Sequence, residues 1–273
     1  MTSVGGATLG PRHHDVRRLR TLLRDAGARA SNRAFVLEGP RVIEGALDRG
    51  AGLESIYLAD GAAAGFPRLT AAAGAAGIPL VTLKEGVIEK VSTTRTPQPV
   101  LAVAPLTSRN LDDLPDTGVV VVTVDVSDPG NLGTILRTAE ASGTTGVVVT
   151  GENSVDVHHP KVVRSSAGAI FGVPIVEQSD PVAALRVLGV NGRRRLATHA
   201  RDGVPYDRAD LTSPCALVLG NEARGITGML EPQLDGAITV PLVGHAESLN
   251  VAMAAAVLCF EAARQRRATA VAP

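Results

Sequence analysis

Residues 213–263 read SPCALVLGNEARGITGMLEPQLDGAITVPLVGHAESLNVAMAAAVLCFEAA. The apolar run Cys215–Leu219 ends at Gly220, a second short run at 237–240 ends at Pro241, and residues 249–262, preceded by Ser248, form a long alanine-rich helix. Two strands that stop at polar turns in one region place a ligand site at their carboxyl ends, where an α/β sheet binds small molecules. One turn carries Gly220, Asn221, Glu222 and Gly225, and the other carries Gly244, Glu247, Ser248 and Asn250. Amide, hydroxyl and carboxylate groups therefore stand beside glycine in both.

Upstream of this stretch the chain alternates short strands and helices. Val119–Val124 is an unbroken β-branched run, the pattern of a strand buried on both faces. It is followed by DVSDPGNLGTILRTAEASG, in which Asp128, Pro129 and Gly130 read as a turn and residues 131–142 as a helix with Leu132, Ile135, Leu136 and Ala139 on its apolar side. Further strands are expected at 146–150, 173–176 and 195–199, and helices from Pro160 and Pro181. This alternation predicts a parallel sheet covered by helices.

The polar segment SRNLDDLPDTG, residues 108–118, has the composition of a linker. Before it lies a small α/β domain, with strands expected near 34–37, 53–58, 79–82 and 99–104. The expected organisation is a basic arm at 1–32, a domain at 33–105, a linker at 106–118 and a larger domain at 119–273. In the arm, residues 13–27 place Val16, Leu19, Leu22 and Leu23 at helical spacing. Residues 11–33 hold seven arginines against Asp15 and Asp25, an excess of five positive charges. Charge alone leaves a solvated helix and a phosphate-contacting one equally open.

Composition narrows the functions available. With 45% hydrophobic and 20% charged residues the 273-residue chain fills a core, and general disorder is excluded. Aromatic residues make up 2% of the chain, too few for a series of base-stacking platforms. Cys215 and Cys259, both in apolar runs, read as reduced core residues and form no metal framework. The first 15 residues lack an apolar core of the kind that directs export, and the apolar run 251–260 is too short to span a bilayer. The expectation is a cytoplasmic protein with no membrane association.

Several motif readings fail on spacing. DPGNLG follows a strand and opens a helix, but Gly130 and Gly133 do not give the G-x-G-x-x-G of a dinucleotide fold. Adjacent His158 and His159 point in opposite directions from an extended loop and lack a third ligand, so no metal is expected. Lys161 and Arg164 share one helical face and suit anion contact or a solvated surface equally. Asn131 and Arg137 are six residues apart, about 120° around a helix, so only the length of Arg137 would let both reach one pocket edge. A surface pair with Glu140 or Glu222 is the competing account of Arg137.

Three segments taken together add a resemblance. NLGTILR at 131–137, LGNEARG at 219–225 and VPLVGHAESLNVA at 240–252 resemble, in order and separation, the signature motifs of the SpoU (TrmH-like) RNA ribose 2'-O-methyltransferases. The likeness extends over HPKVVRSSAGAIFGVPI at 159–175, and the first domain looks like the ribosomal-protein-like substrate-binding domain of many members. Membership implies a deep C-terminal trefoil knot, in which the chain after Leu219 threads an earlier loop, although general rules of chain connection argue against knots. It also implies S-adenosyl-L-methionine as cofactor, an RNA substrate, with 23S rRNA favoured over tRNA, and a homodimer. A knotted RNA-binding protein without activity is the alternative of another class. Some relatives protect the ribosome of an antibiotic producer, so housekeeping and resistance roles both stay open.

By the same resemblance the catalytic group is Arg137, Asn131, Glu222, Ser248 and Asn250, and the cofactor contacts are Thr198, Leu219, Gly220, Val240, Pro241 and Leu249. Arg17, Arg18, Arg41, Lys161 and Arg164 are the expected RNA contacts. Ala223 and Leu242 stand where glycine and methionine are common in the family; neither change removes a catalytic group.

Overall fold

In the computed structural model, residues 8–221, 224–226 and 228–270 are described, and the chain divides into two compact units. One holds the residues up to Thr107 together with His158–Phe171, and the other holds Ser108–Val157 and Gly172–Pro273. The expected organisation kept 158–171 with the larger domain; the segment packs with the first unit instead.

The first unit is built on a four-stranded sheet. Its strands are β1 (Ala34–Glu38), β2 (Ser55–Ala59), β3 (Leu80–Leu83) and β4 (Val100–Pro105), in the order β1-β4-β2-β3. β4 runs antiparallel to β1 and β2, and β2 is parallel to β3. The basic arm is part of this unit's core. α1 (His14–Arg24) buries Val16, Leu19, Leu22 and Leu23 in one cluster with Val36, Leu83 and Leu101. The single helix expected over 13–27 is in fact two, because Asp25 leaves helical geometry and its carboxylate caps α2 (Ala26–Asn32) through the Ala28 N–H. α3 (Pro40–Asp48), α4 (Pro67–Ala75) and α5 (Val87–Val91) complete the part before the linker, and α7 (Pro160–Ser166) is contributed by the later segment.

The second unit is a seven-stranded sheet in which every pairing is parallel. Its strands are β5 (Val119–Val124), β6 (Gly146–Thr150), β7 (Ile175–Gln178), β8 (Arg194–His199), β9 (Val204–Pro205), β10 (Cys215–Leu219) and β11 (Gly236–Thr239). They lie in the order β7-β6-β5-β10-β8-β11-β9. β5, β6 and β10 are buried at every residue, which is why their sequences show no alternation. α6 (Pro129–Ser142), α8 (Pro181–Val190) and α9 (Val251–Ala270) complete the unit, with α9 packed along α6.

Two helix starts differ from expectation. Asp128 is the N-cap of α6, accepting the Asn131 N–H at 2.8 Å, and Pro129 occupies the first turn, so Pro129 and Gly130 are helical. α9 begins at Val251, because the Asn250 carboxamide accepts the N–H groups of Ala252 and Met253 at 2.9 and 3.3 Å. Ser248 lies ahead of that cap.

Candidate cofactor pocket at the carboxyl ends of the sheet

β8, β10 and β11 end side by side, and the loops that leave them wall a cavity of about 610 Å³. That is within the range of pockets that enclose a small molecule. Thr198, Leu219, Gly220, Val240, Ser248 and Leu249, all expected at the site, line it. Pro241 is exposed and is not among the lining residues.

The local geometry is set by a few polar contacts. The Thr198 hydroxyl donates to the Val218 carbonyl at 3.0 Å, fixing the end of β8 against β10. After β10 the chain doubles back, and Asn221 and Gly225 exchange backbone hydrogen bonds of 3.2 and 2.8 Å. The Asn221 side chain donates to the Asp125 carbonyl at 2.9 Å and accepts the Arg224 N–H at 3.2 Å. Gly220 lies directly on this doubled loop: a Cβ there would sit 2.3 Å from the Gly225 carbonyl carbon and 2.4 Å from its oxygen. Only glycine permits so close a crossing.

Other residues complete the wall. Ile238, Leu242 and Leu258 give the cavity apolar surface, while Asn221, Asp202, Arg224 and Glu247 bring polar and charged groups to it. S-adenosylmethionine has an apolar purine face, a ribose diol and a zwitterionic tail, and this mixture of walls fits all three. Asp202 belongs to none of the quoted motifs, and only the convergence of the strand ends reveals it.

The catalytic candidates are brought together in part. The Asn250 side-chain amide donates to the Asn131 side-chain oxygen at 3.0 Å, joining residues 119 positions apart across the starts of α6 and α9. Ser248 and Leu249, which precede Asn250, belong to the cavity wall. Arg137 does not line the cavity; it is exposed on α6 and makes no ion pair with Glu140. Among the described residues its guanidinium has no side-chain partner. Glu222 lies outside the described residues.

In the first unit the expected RNA contacts divide. Arg17 and Arg41 are exposed, as is Lys161 in the first turn of α7. Arg18 is committed to Glu54 at 2.7 Å, and that hydrogen bond holds its guanidinium above the ordinary range. Arg29 is buried and donates to the Leu22 carbonyl at 2.7 Å, closing the end of α1. Arg164 is bound to the buried Glu38 carboxylate and to the Thr93 hydroxyl. Its guanidinium is therefore occupied within the protein, against the expectation of an RNA contact.

Both cysteines are buried. Burial pushes the Cys259 thiol up to about 11 and raises that of Cys215, which keeps them protonated and unreactive. No described helix is long and apolar enough to cross a membrane.

The SpoU rRNA Methylase family matches residues 118–260, and the MRM3-like substrate binding domain matches residues 14–102. Over 233 residues the chain is 34% identical to the 23S rRNA (guanosine(2553)-2'-O)-methyltransferase RlmP of Bacillus subtilis, covering 85% of this chain and 89% of that protein. The AdoMet-bound rRNA methyltransferase from Sinorhizobium meliloti superposes with a TM-score of 0.83 at 29% identity, covering 94% of this chain and 97% of that one. The SpoU methyltransferase AviRb from Streptomyces viridochromogenes, in complex with AdoMet, gives 0.80 at 26% identity, over 94% and 99% of the two chains. A parallel α/β unit with this pocket, preceded by a substrate-binding domain, is a methyltransferase of the SPOUT type, a class that is typically knotted. The chain belongs to the SpoU rRNA methylase family. Its reaction is S-adenosylmethionine-dependent methyl transfer to an RNA ribose 2'-oxygen, and the expectations of family, reaction and cofactor hold.

Proposed function

We propose that this protein methylates a ribose 2'-hydroxyl of 23S rRNA in the cytoplasm, working as a homodimer with a knotted cofactor site. The observation that carries this reading is the cavity at the ends of β8, β10 and β11, bordered by the Asn131–Asn250 pair, in a chain that aligns over most of its length with a 23S rRNA 2'-O-methyltransferase. The knot is supported by the central insertion of β10 between β5 and β8, with the loop after it tethered to Asp125. The dimer is supported by Met253, Val257 and Phe260, which form an apolar stripe along α9; Met253 and Phe260 are 63% and 48% exposed.

S-adenosylmethionine supplies a methyl group on a positively charged sulfur that leaves as a neutral thioether. The 2'-oxygen would form the new bond to carbon and release its proton to solvent water, so the protein's task lies on the nucleophile's side. A guanidinium keeps its own proton, and Arg137 acts here as an orienter of the target phosphate and a stabiliser of developing alkoxide charge. Asn131 and Asn250, locked to each other, hold the starts of α6 and α9 together beside the cavity. Ser248 stands in the cavity wall.

Arg137→Ala is expected to cut methyl transfer by about 10²- to 10³-fold, the cost of losing one preorganised donor. Its affinity for S-adenosylmethionine should match that of the unmodified protein. Loss of cofactor binding in this variant would refute the assignment.

A further inference from the structure

Glu38, at the end of β1, is a carboxylate that the methyl-transfer chemistry does not use. Its side chain is 5% exposed, yet it accepts from the Ser92 hydroxyl at 2.6 Å, the Thr93 N–H at 3.0 Å, the Thr93 hydroxyl at 2.6 Å and the Arg164 guanidinium. Burying a charge is costly unless it is paired and hydrogen-bonded in this way, and a hydrophobic contact would tie the same elements together at lower cost. All of the donors apart from Arg164 come from the start of one loop, residues 92–98, with sequence STTRTPQ. The Ser92 hydroxyl also accepts the Thr94 N–H at 3.1 Å, so the loop is pinned at three successive residues.

Its far end is stiff as well. Pro97 and Pro99 fix their own φ angles and restrict Thr96 and Gln98 to extended backbone. Gly39, with φ of +97°, sits against this end: a Cβ there would meet the Gln98 Cγ at 3.8 Å. The loop therefore lies beside the step from β1 into α3, where Arg41 stands. Arg95, Gln98 and Arg41 are all exposed, and among the described residues none of their side chains has a partner. Two unpaired guanidinium groups and one unpaired carboxamide are thus carried on rigid backbone around a carboxylate whose charge is already neutralised by Arg164. Rigid presentation lowers the ordering cost of binding. Guanidinium groups suit phosphates, and a carboxamide suits a base edge.

Building on the reading of the protein as an RNA methyltransferase, we infer that the 92–98 loop is an RNA-reading element of the first unit. Arg95 and Arg41 contact backbone phosphates, Gln98 contacts an exposed base, and Glu38 is the positioning residue that holds the loop in its binding shape. Phosphate contacts set affinity and register, and the carboxamide adds discrimination.

The test uses the full chain, 23S rRNA transcribed without modification as the probe, and the variants Arg95→Ala, Gln98→Ala and Glu38→Gln, with Asp48→Asn as a surface control. RNA binding is measured against salt, methyl transfer by kcat and KM, and S-adenosylmethionine binding by calorimetry. Arg95→Ala should weaken RNA binding about tenfold and lower the salt slope by about 0.7 to 0.9, the share of one phosphate contact. Gln98→Ala should weaken binding with the slope unchanged. Glu38→Gln, which keeps the shape but loses the charge that holds Arg164, should raise KM for RNA and leave cofactor affinity as it was. Unchanged RNA affinity and slope in Arg95→Ala and Gln98→Ala, with folding and cofactor binding intact, would overturn the inference. Arg95-dependent binding without methyl transfer by the unmodified protein would sustain the loop's role and refute the catalytic reading. Absence of RNA binding by the unmodified protein would refute both.

Discussion

Gly220→Ala tests the pocket most sharply, because its consequence follows from backbone distances alone. The added Cβ would stand 2.3 Å from the Gly225 carbonyl carbon, 2.4 Å from its oxygen and 2.6 Å from the Ile226 nitrogen, against at least 3.4 Å in ordinary contact. All three atoms are backbone, so no side chain can rotate away, and the loop from 224 to 226 must retreat by about 1 Å. Overpacking of this kind costs about 1 to 3 kcal/mol. If the cost falls on the pocket-competent loop, affinity for S-adenosylmethionine drops by roughly 5- to 150-fold, since each 1.4 kcal/mol is a factor of ten. Titration calorimetry with the cofactor measures this directly. Gly244→Ala is the control, because a Cβ at Gly244 meets nothing within 4 Å. Unchanged cofactor affinity and unchanged thermal stability in Gly220→Ala would refute the packing argument.

Other outcomes follow from single contacts. Asn250→Asp keeps the acceptor that caps α9 but loses the amide that donates to Asn131, so methyl transfer should fall while the Tm holds; Asn250→Ala should lose activity and about 1 kcal/mol of stability as well. Arg193 is buried, with its guanidinium lowered in pKa by desolvation, and it donates to the carbonyls of Pro115, Thr117 and Gly118. Arg193→Met should strand these carbonyls and cost about 2 to 4 kcal/mol in denaturant unfolding. Asp235, which holds β11 to β8 through three hydrogen bonds from Arg195, has its carboxyl held below the ordinary range mainly by the Arg195 side chain. A carboxylate depressed in the folded state adds stability above its unfolded pKa of about 4 and loses it as pH falls through the lower folded value. Asp235→Asn should therefore cost about 0.5 to 1 kcal/mol at pH 7, allowing for solvent screening, and the gap should close below pH 4 in thermal scans.

The parts of the molecule legible in the sequence are those whose cause is local. β5 and β10 were readable because strands buried on both faces leave unbroken apolar runs, and both have the expected bounds. Helix starts were less readable: Asp128 and Asn250 are caps, and a cap is recognised by which N–H its side chain accepts, a choice that Ser248 competes for on sequence alone. Contacts between distant segments left no trace. Glu38 and Arg164 are 126 positions apart, and their pairing turns a basic side chain that reads as an RNA contact into an internal tie. In the arginine-rich arm, Arg18 and Arg29 are likewise spent on Glu54 and the Leu22 carbonyl, while Arg17 stays exposed. Reaction and cofactor were legible in three motifs read together, whereas Asp202 became visible only where the strand ends converge.

The central claim is chemical and is tested by one measurement: transfer of a labelled methyl group from S-adenosylmethionine to unmodified 23S rRNA, followed by digestion and mapping of the labelled nucleoside. The label is expected on a ribose 2'-oxygen at a defined nucleotide and should be lost in Arg137→Ala. Label on a base, or no transfer to 23S rRNA by a folded protein that binds the cofactor, would contradict it.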